Sequence, residues 1–157
     1  MDPVHIHLIL NHIPAIGLLI ATALLITALL RKNDELMKVV LVLFVFLALI
    51  SIPVFMTGEP SEEEVEHLPQ VSHSLIEKHE DAAAISLGVV EILGVSSLAG
   101  LFLFRGARIP KWFQLVILVL CIVSTGLMGW TSNLGGQICH SEIRSPGADV
   151  PDQEDWD

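Results

Sequence analysis

The chain has 157 residues, 52% of them hydrophobic and only 17% charged, with a mean hydropathy of +0.66. A soluble domain carries roughly 25% charge, so most of this chain is expected in a bilayer. Its formal net charge of −10 argues against nucleic acid as the main partner, because phosphate binding needs a surplus of Lys and Arg. Two cysteines, Cys121 in an apolar run and Cys139 beside His140, are too few for a disulfide scaffold and lack the spacing of a zinc ribbon.

Four apolar runs, 8–30, 37–55, 82–104 and 113–130, meet the length of about 20 residues that a membrane helix requires. The expected fold is therefore all-α, an integral membrane four-helix bundle over 1–144, followed by an acidic tail, 145–157, with the composition of a mobile segment. No basic stretch precedes the first run and no small-residue cleavage site precedes Arg31, so that run reads as a retained helix.

Six of the eight basic residues, Arg31, Lys32, Lys38, Arg105, Arg108 and Lys111, lie in or at the edge of the two short connections. Positive charge is retained on the cytoplasmic side, which puts those connections inside and both termini outside, together with the 58–81 loop. The inner segments then carry a net +4 and the outer ones, with fifteen acids and two bases, a net −13. An outer surface of that charge would steer a cationic soluble redox protein toward it.

All seven histidines, His5, His7, His12, His67, His73, His79 and His140, fall on the outer side. Imidazole is the commonest metal ligand and titrates near neutral pH, so such a cluster points to a metal, haem or proton-linked role. His5 and His12, seven residues apart, share a helix face, and His7 points elsewhere. His12 is the deepest, two residues before Pro14, whose missing N–H would leave the Leu10 carbonyl unpaired in a continuous helix.

In the outer loop, Ser61 and Glu64 have the spacing of a capping box. A second helix is expected to begin near Ser72 and run unbroken into the third span, aligning His73, Glu77 and Glu80 on one face with His79 beside them. Carboxylate and imidazole at that spacing suit a transition metal, or a carboxylate orienting a ligating imidazole. Glu91, three turns deeper than Glu80, is an intramembrane carboxyl, expected to face the bundle in neutral or paired form. Gly88, Gly94 and Gly100 near it would admit another helix or a flat cofactor. After the fourth run, Trp130 marks an interface and Gly135-Gly136 is expected to turn the chain, bringing His140 back to the bundle mouth. Arg144 could then pair with a haem propionate or with the local carboxylates. With only Cys139 before His140, covalent c-type haem attachment is excluded.

The segments His5-Ile6-His7-Leu8-Ile9-Leu10-Asn11-His12-Ile13-Pro14, Leu75-Ile76-Glu77-Lys78-His79-Glu80 and Gly135-Gly136-Gln137-Ile138-Cys139-His140-Ser141-Glu142-Ile143 resemble those of an uncharacterised family of small four-helix bacterial inner-membrane proteins. The resemblance covers about residues 5–144. It implies the fold and a bacterial cytoplasmic membrane, and some relatives look like membrane partners of redox proteins.

Two functional expectations follow. The first is a membrane electron-transfer subunit holding non-covalent haem b near the outer face, with His12, His73, His79, His140 and Arg144 as its contacts. The second is a non-haem Zn, Cu or Fe site drawn from His12, His73, His79, His140, Glu77 and Glu80, or an accessory subunit of a membrane complex. Triads, phosphate loops and zinc-protease signatures are missing from the sequence, which speaks against a self-contained enzyme.

Overall fold

The computed structural model describes residues 3–65, 71–140 and 144, and among these every regular element is a helix: α1 (Pro3–Leu10), α2 (His12–Arg31), α3 (Asp34–Met56), α4 (Gly58–Val65), α5 (His73–Leu103) and α6 (Lys111–Cys139). His67 and the acidic tail lie outside the described residues. α1 and α2 form one rod, since Asn11 between them keeps helical angles (φ −62°, ψ −24°) and its N–H reaches the His7 carbonyl at 2.9 Å. The interruption has a local cause: Pro14 has no N–H to give the Leu10 carbonyl. Four helices are long and apolar enough to cross a membrane, Val4–Arg31, Asp34–Val65, His73–Leu103 and Lys111–Ile138.

These helices overshoot the apolar runs at the histidine end. α5 starts at His73, where the unbroken 72–81 segment predicts it. α6 corrects the expected end at Trp130 and the expected turn at Gly135-Gly136, because it runs nine residues further, to Cys139. A helical glycine costs about 1 kcal/mol relative to alanine, and two contacts offset that cost here. Arg144 donates from Nε to the Gln137 carbonyl (2.9 Å) and from Nη2 to the Ile138 carbonyl (2.8 Å), capping the last turn, and the His79 ring packs on Gly135. The capping box is also corrected. α4 already begins at Gly58, so Ser61 is an interior residue whose Oγ donates back to the Thr57 carbonyl at 2.6 Å.

Each long helix packs on its sequence neighbours, and α2 closes the ring on α6, an up-down-up-down bundle. The α2–α3 reversal is compact. Lys32 takes the left-handed conformation (φ 52°), Asn33 N–H returns to the Ala28 carbonyl at 3.0 Å, and the Asn33 side chain then caps α3 by accepting from Leu36 N–H at 3.0 Å. The core is centred on Leu18, Leu25, Phe44, Leu47, Leu93 and Ile117. Close approach depends on small residues, Gly94 against Ala48 and Gly17 beneath Leu47.

The exterior differs from that of a water-soluble bundle in being as apolar as the core. Among the described residues 28 large hydrophobic side chains are exposed and 22 hydrophobic residues are buried, while Ser51, Ser86, Ser97, Ser124 and Thr131 lie inside. Water disfavours an apolar surface of that extent, and hydrocarbon accepts it. At the short-loop end, Phe104, Trp112 and Phe113 meet edge to face with centroids 5.3–6.5 Å apart, and Arg108 Nε bridges to Asp34 Oδ2 at 2.7 Å. That pair ties the two short connections together.

Candidate functional site

The opposite end of the bundle is polar, and it is assembled from register. Seven-residue steps from His7 lead to Pro14, Ala21 and Ala28, all buried on α2. The same steps from His79 lead to Ser86, Leu93 and Gly100, all buried on α5. Both imidazoles therefore enter on inward stripes.

His79 is half-buried. Its Nδ1 lies 3.0 Å from the Thr131 carbonyl, which can only accept, so Nδ1 carries the proton and Nε2 of the neutral ring holds a lone pair. Gly135 makes room for this ring, since a Cβ there would stand 3.0 Å from His79 Cε1 and 3.3 Å from Nδ1. Directly beneath, Ser86 Oγ and Thr131 Oγ1 are hydrogen-bonded at 2.8 Å, holding α5 and α6 in register.

His7 is held by the end of α3. Its Nδ1 is 3.2 Å from Thr57 Oγ1, and the Thr57 hydroxyl donates its own proton to the Val54 carbonyl at 2.8 Å. Nδ1–H of His7 is therefore the donor, and Nε2 is again the basic nitrogen. The ring also faces Gly58 at the start of α4. Fixing Nδ1–H on a protein oxygen is how metal-ligating histidines are oriented.

His7 lies off the helix face shared by His5 and His12, so the spacing of those two does not point to it. Its seven-residue register with Pro14, Ala21 and Ala28 was the signal that finds it. The His12 ring is exposed on the outward face beside exposed Ile9, Ile13 and Ile16, and its Nδ1 bonds the Leu8 carbonyl, four residues back in α1, at 2.6 Å. His73, Glu77 and Glu80 share a solvent-facing stripe of α5, all three exposed, with Glu80 near enough to Glu62 to repel it. His140 is exposed just past α6, and Arg144 is engaged in capping that helix. Among the described residues no three His, Cys, Asp or Glu side chains come together as a metal-binding group. Of the named candidates the fold draws His79 and Arg144 toward the end of α6, leaves His12, His73 and His140 at the surface, and adds His7.

Glu91 corrects a further expectation. It does not face the bundle interior but lies half-buried in a groove between α3 and α5, among Val45, Ala48, Leu49, Val95 and Leu98. Leu49, Val95 and Leu98 are exposed, so the groove opens outward, and Oε1 of Glu91 is buried with no hydrogen-bond partner. The carboxyl therefore stands apart from the histidine end.

No protein-family model matches the chain, and neither a curated protein nor a solved structure does.

Proposed function

We propose that the chain is a membrane-embedded four-helix subunit that carries a redox-active metal cofactor, non-covalent haem b in the first instance, at its histidine end. The apolar exterior supports insertion. The basic short connections support placing that end on the outer side of a bacterial cytoplasmic membrane. The observation that carries the cofactor reading is the pair His7 of α1 and His79 of α5: two imidazoles at the same end of the bundle, each with Nδ1–H bound to an oxygen and Nε2 left basic.

Two imidazoles fit haem better than a bare ion. The porphyrin supplies four of the iron's ligands and needs one or two from the protein, whereas Zn, Cu or non-haem Fe asks three or four side chains. When bound, haem would supply one-electron chemistry. The chain's own residues hold the rings, with Thr131 and Thr57 fixing the tautomers and Gly135 leaving space for His79. The acidic surface around this end suits a cationic electron-transfer partner.

The test is the absorption spectrum of the full chain, purified from membranes in mild detergent, oxidised and dithionite-reduced. The wild type is expected to show a low-spin b-type spectrum that His7→Ala and His79→Ala each lose and His12→Ala keeps. Wild-type protein without haem absorption overturns the haem reading, and stoichiometric metal by elemental analysis in such a sample would favour the non-haem ion. A spectrum kept by both His7→Ala and His79→Ala removes this pair as ligands.

A further inference from the structure

The short-loop end of the bundle has no part in the histidine site, and its charge is left uncompensated by the fold. Arg31, Lys32 and Lys38 at the α2–α3 reversal and Arg105, Arg108 and Lys111 at the α5–α6 connection stand against two acids, Asp34 and Glu35. All of these bases except Lys38 are exposed. Among the described residues the one ion pair at this end joins Arg108 Nε to Asp34 Oδ2, so Arg31, Lys32, Arg105 and Lys111 have no carboxylate partner. Arg108 itself, with a side chain 79% exposed, keeps both Nη groups available. Each group of bases adjoins exposed apolar side chains, Leu30 before Arg31, Phe102 and Leu103 before Arg105, and Trp112 after Lys111. The Trp112 ring is held edge on by Phe104 and Phe113.

From this juxtaposition of unpaired cations with exposed apolar side chains we infer that the short-loop end binds an anionic phospholipid, its phosphate on Arg105, Arg108 and Lys111 and its acyl chains along Phe102, Leu103 and Trp112. The inference rests on the membrane insertion proposed above. The ligand has to complement both features at once. A soluble anion would meet the bases and leave the neighbouring apolar side chains without a contact, and an uncharged lipid would do the reverse. A phospholipid carries its phosphate at the headgroup level, where interfacial tryptophans sit, with hydrocarbon directly below. The two Nη groups of an arginine can take two phosphate oxygens together, and a lysine adds a point charge. Net charge selects among lipids, because a zwitterionic headgroup brings its own cation beside the phosphate. Bases at the end of a membrane helix favour anionic lipid by about fivefold each. The histidine end supplies the contrast: Trp130 is exposed there too, but the outer segments around it hold fifteen acids and two bases.

The experiment reads lipid contact at one tryptophan. The full chain with Trp130→Phe and Trp156→Phe keeps Trp112 alone, and its fluorescence is measured in vesicles containing either phosphatidylglycerol or phosphatidylcholine brominated in the acyl chains. Quenching of Trp112 is expected to favour the anionic lipid by about fivefold or more. Trp130, read alone in a Trp112→Phe, Trp156→Phe chain, is expected to show no such preference. Arg105→Gln combined with Lys111→Gln replaces two exposed, unpaired side chains, which leaves the packing of the bundle intact and should lower the preference at Trp112 toward that at Trp130. Equal quenching of Trp112 by the two lipids, a like preference at Trp130, or a preference undiminished in the Arg105→Gln, Lys111→Gln chain overturns the proposal. So does a preference abolished by inorganic phosphate at constant ionic strength, which would make the ligand a soluble anion. Absence of quenching at both tryptophans by either lipid would instead overturn insertion itself, a result separable from quenching that ignores headgroup charge.

Discussion

The two ends of the bundle are closed by different physics. At the short-loop end, Phe104, Trp112 and Phe113 stack edge to face over Gly100, with Phe113 against the glycine, and the Arg108–Asp34 ion pair sits outside. At the histidine end, closure is by directional bonds, His79 to Thr131, Ser86 to Thr131, His7 to Thr57 and Arg144 to the last turn of α6. Among the described residues a small apolar cluster of Val71, Leu75, Ile76 and Ile138 supports it. Aromatic packing tolerates small shifts, whereas each hydrogen bond at the other end specifies which nitrogen of a ring is protonated. One end is therefore closed by packing, and the other by bonds that orient two imidazole rings.

That contrast can be broken most severely at Phe113. Phe113→Ala removes a buried ring with two aromatic neighbours and is expected to cost about 3 kcal/mol, read as a lowered unfolding midpoint by circular dichroism in detergent. The histidine-end bonds should survive it in the folded fraction. A loss under about 1 kcal/mol would mean that aromatic packing does not hold that end.

Thr131→Val probes the polar end. The backbone carbonyl still accepts from His79, but Ser86 Oγ, almost fully buried, loses its partner, an expected cost of about 1–2 kcal/mol. Adding Ser86→Ala should restore part of this, because removing both partners leaves nothing unsatisfied. Additive losses in the double variant, measured by the same unfolding midpoint, would show that the pair is not coupled.

The smallest effect belongs to Arg108→Ala. The arginine side chain is 79% exposed, and a surface pair of this kind contributes about 0–1 kcal/mol, less at high salt. Its unfolding midpoint should equal that of the wild type at 1 M salt, and a difference that persists there would assign Arg108 a packing role.

How far the sequence could be read differs along the chain in the same way. The four long apolar helices were legible because apolar runs near 20 residues have few alternatives. The run of α5 back to His73 was legible from the absence of a breaker after Ser72. α6 was misjudged at Gly135-Gly136, because those glycines read as a turn until the His79 ring and the Arg144 cap are in place. His7 was legible in principle through its register with Pro14, Ala21 and Ala28, but a choice between two faces of one helix needs to know where the neighbouring helices stand.

The amino-acid order alone therefore determined the number of long helices, the gathering of histidines at one end and of bases at the other, and the presence of one carboxyl deep in an apolar helix, since each depends only on composition along the chain. Which imidazole faces inward, which of its nitrogens is protonated, that Gly135 is space for His79, and that Glu91 opens outward rather than into the bundle were decided by tertiary structure. Each of these depends on an atom contributed by a different helix, and rotating a helix by one residue, about 100°, would exchange the outcomes without changing the hydropathy profile at all.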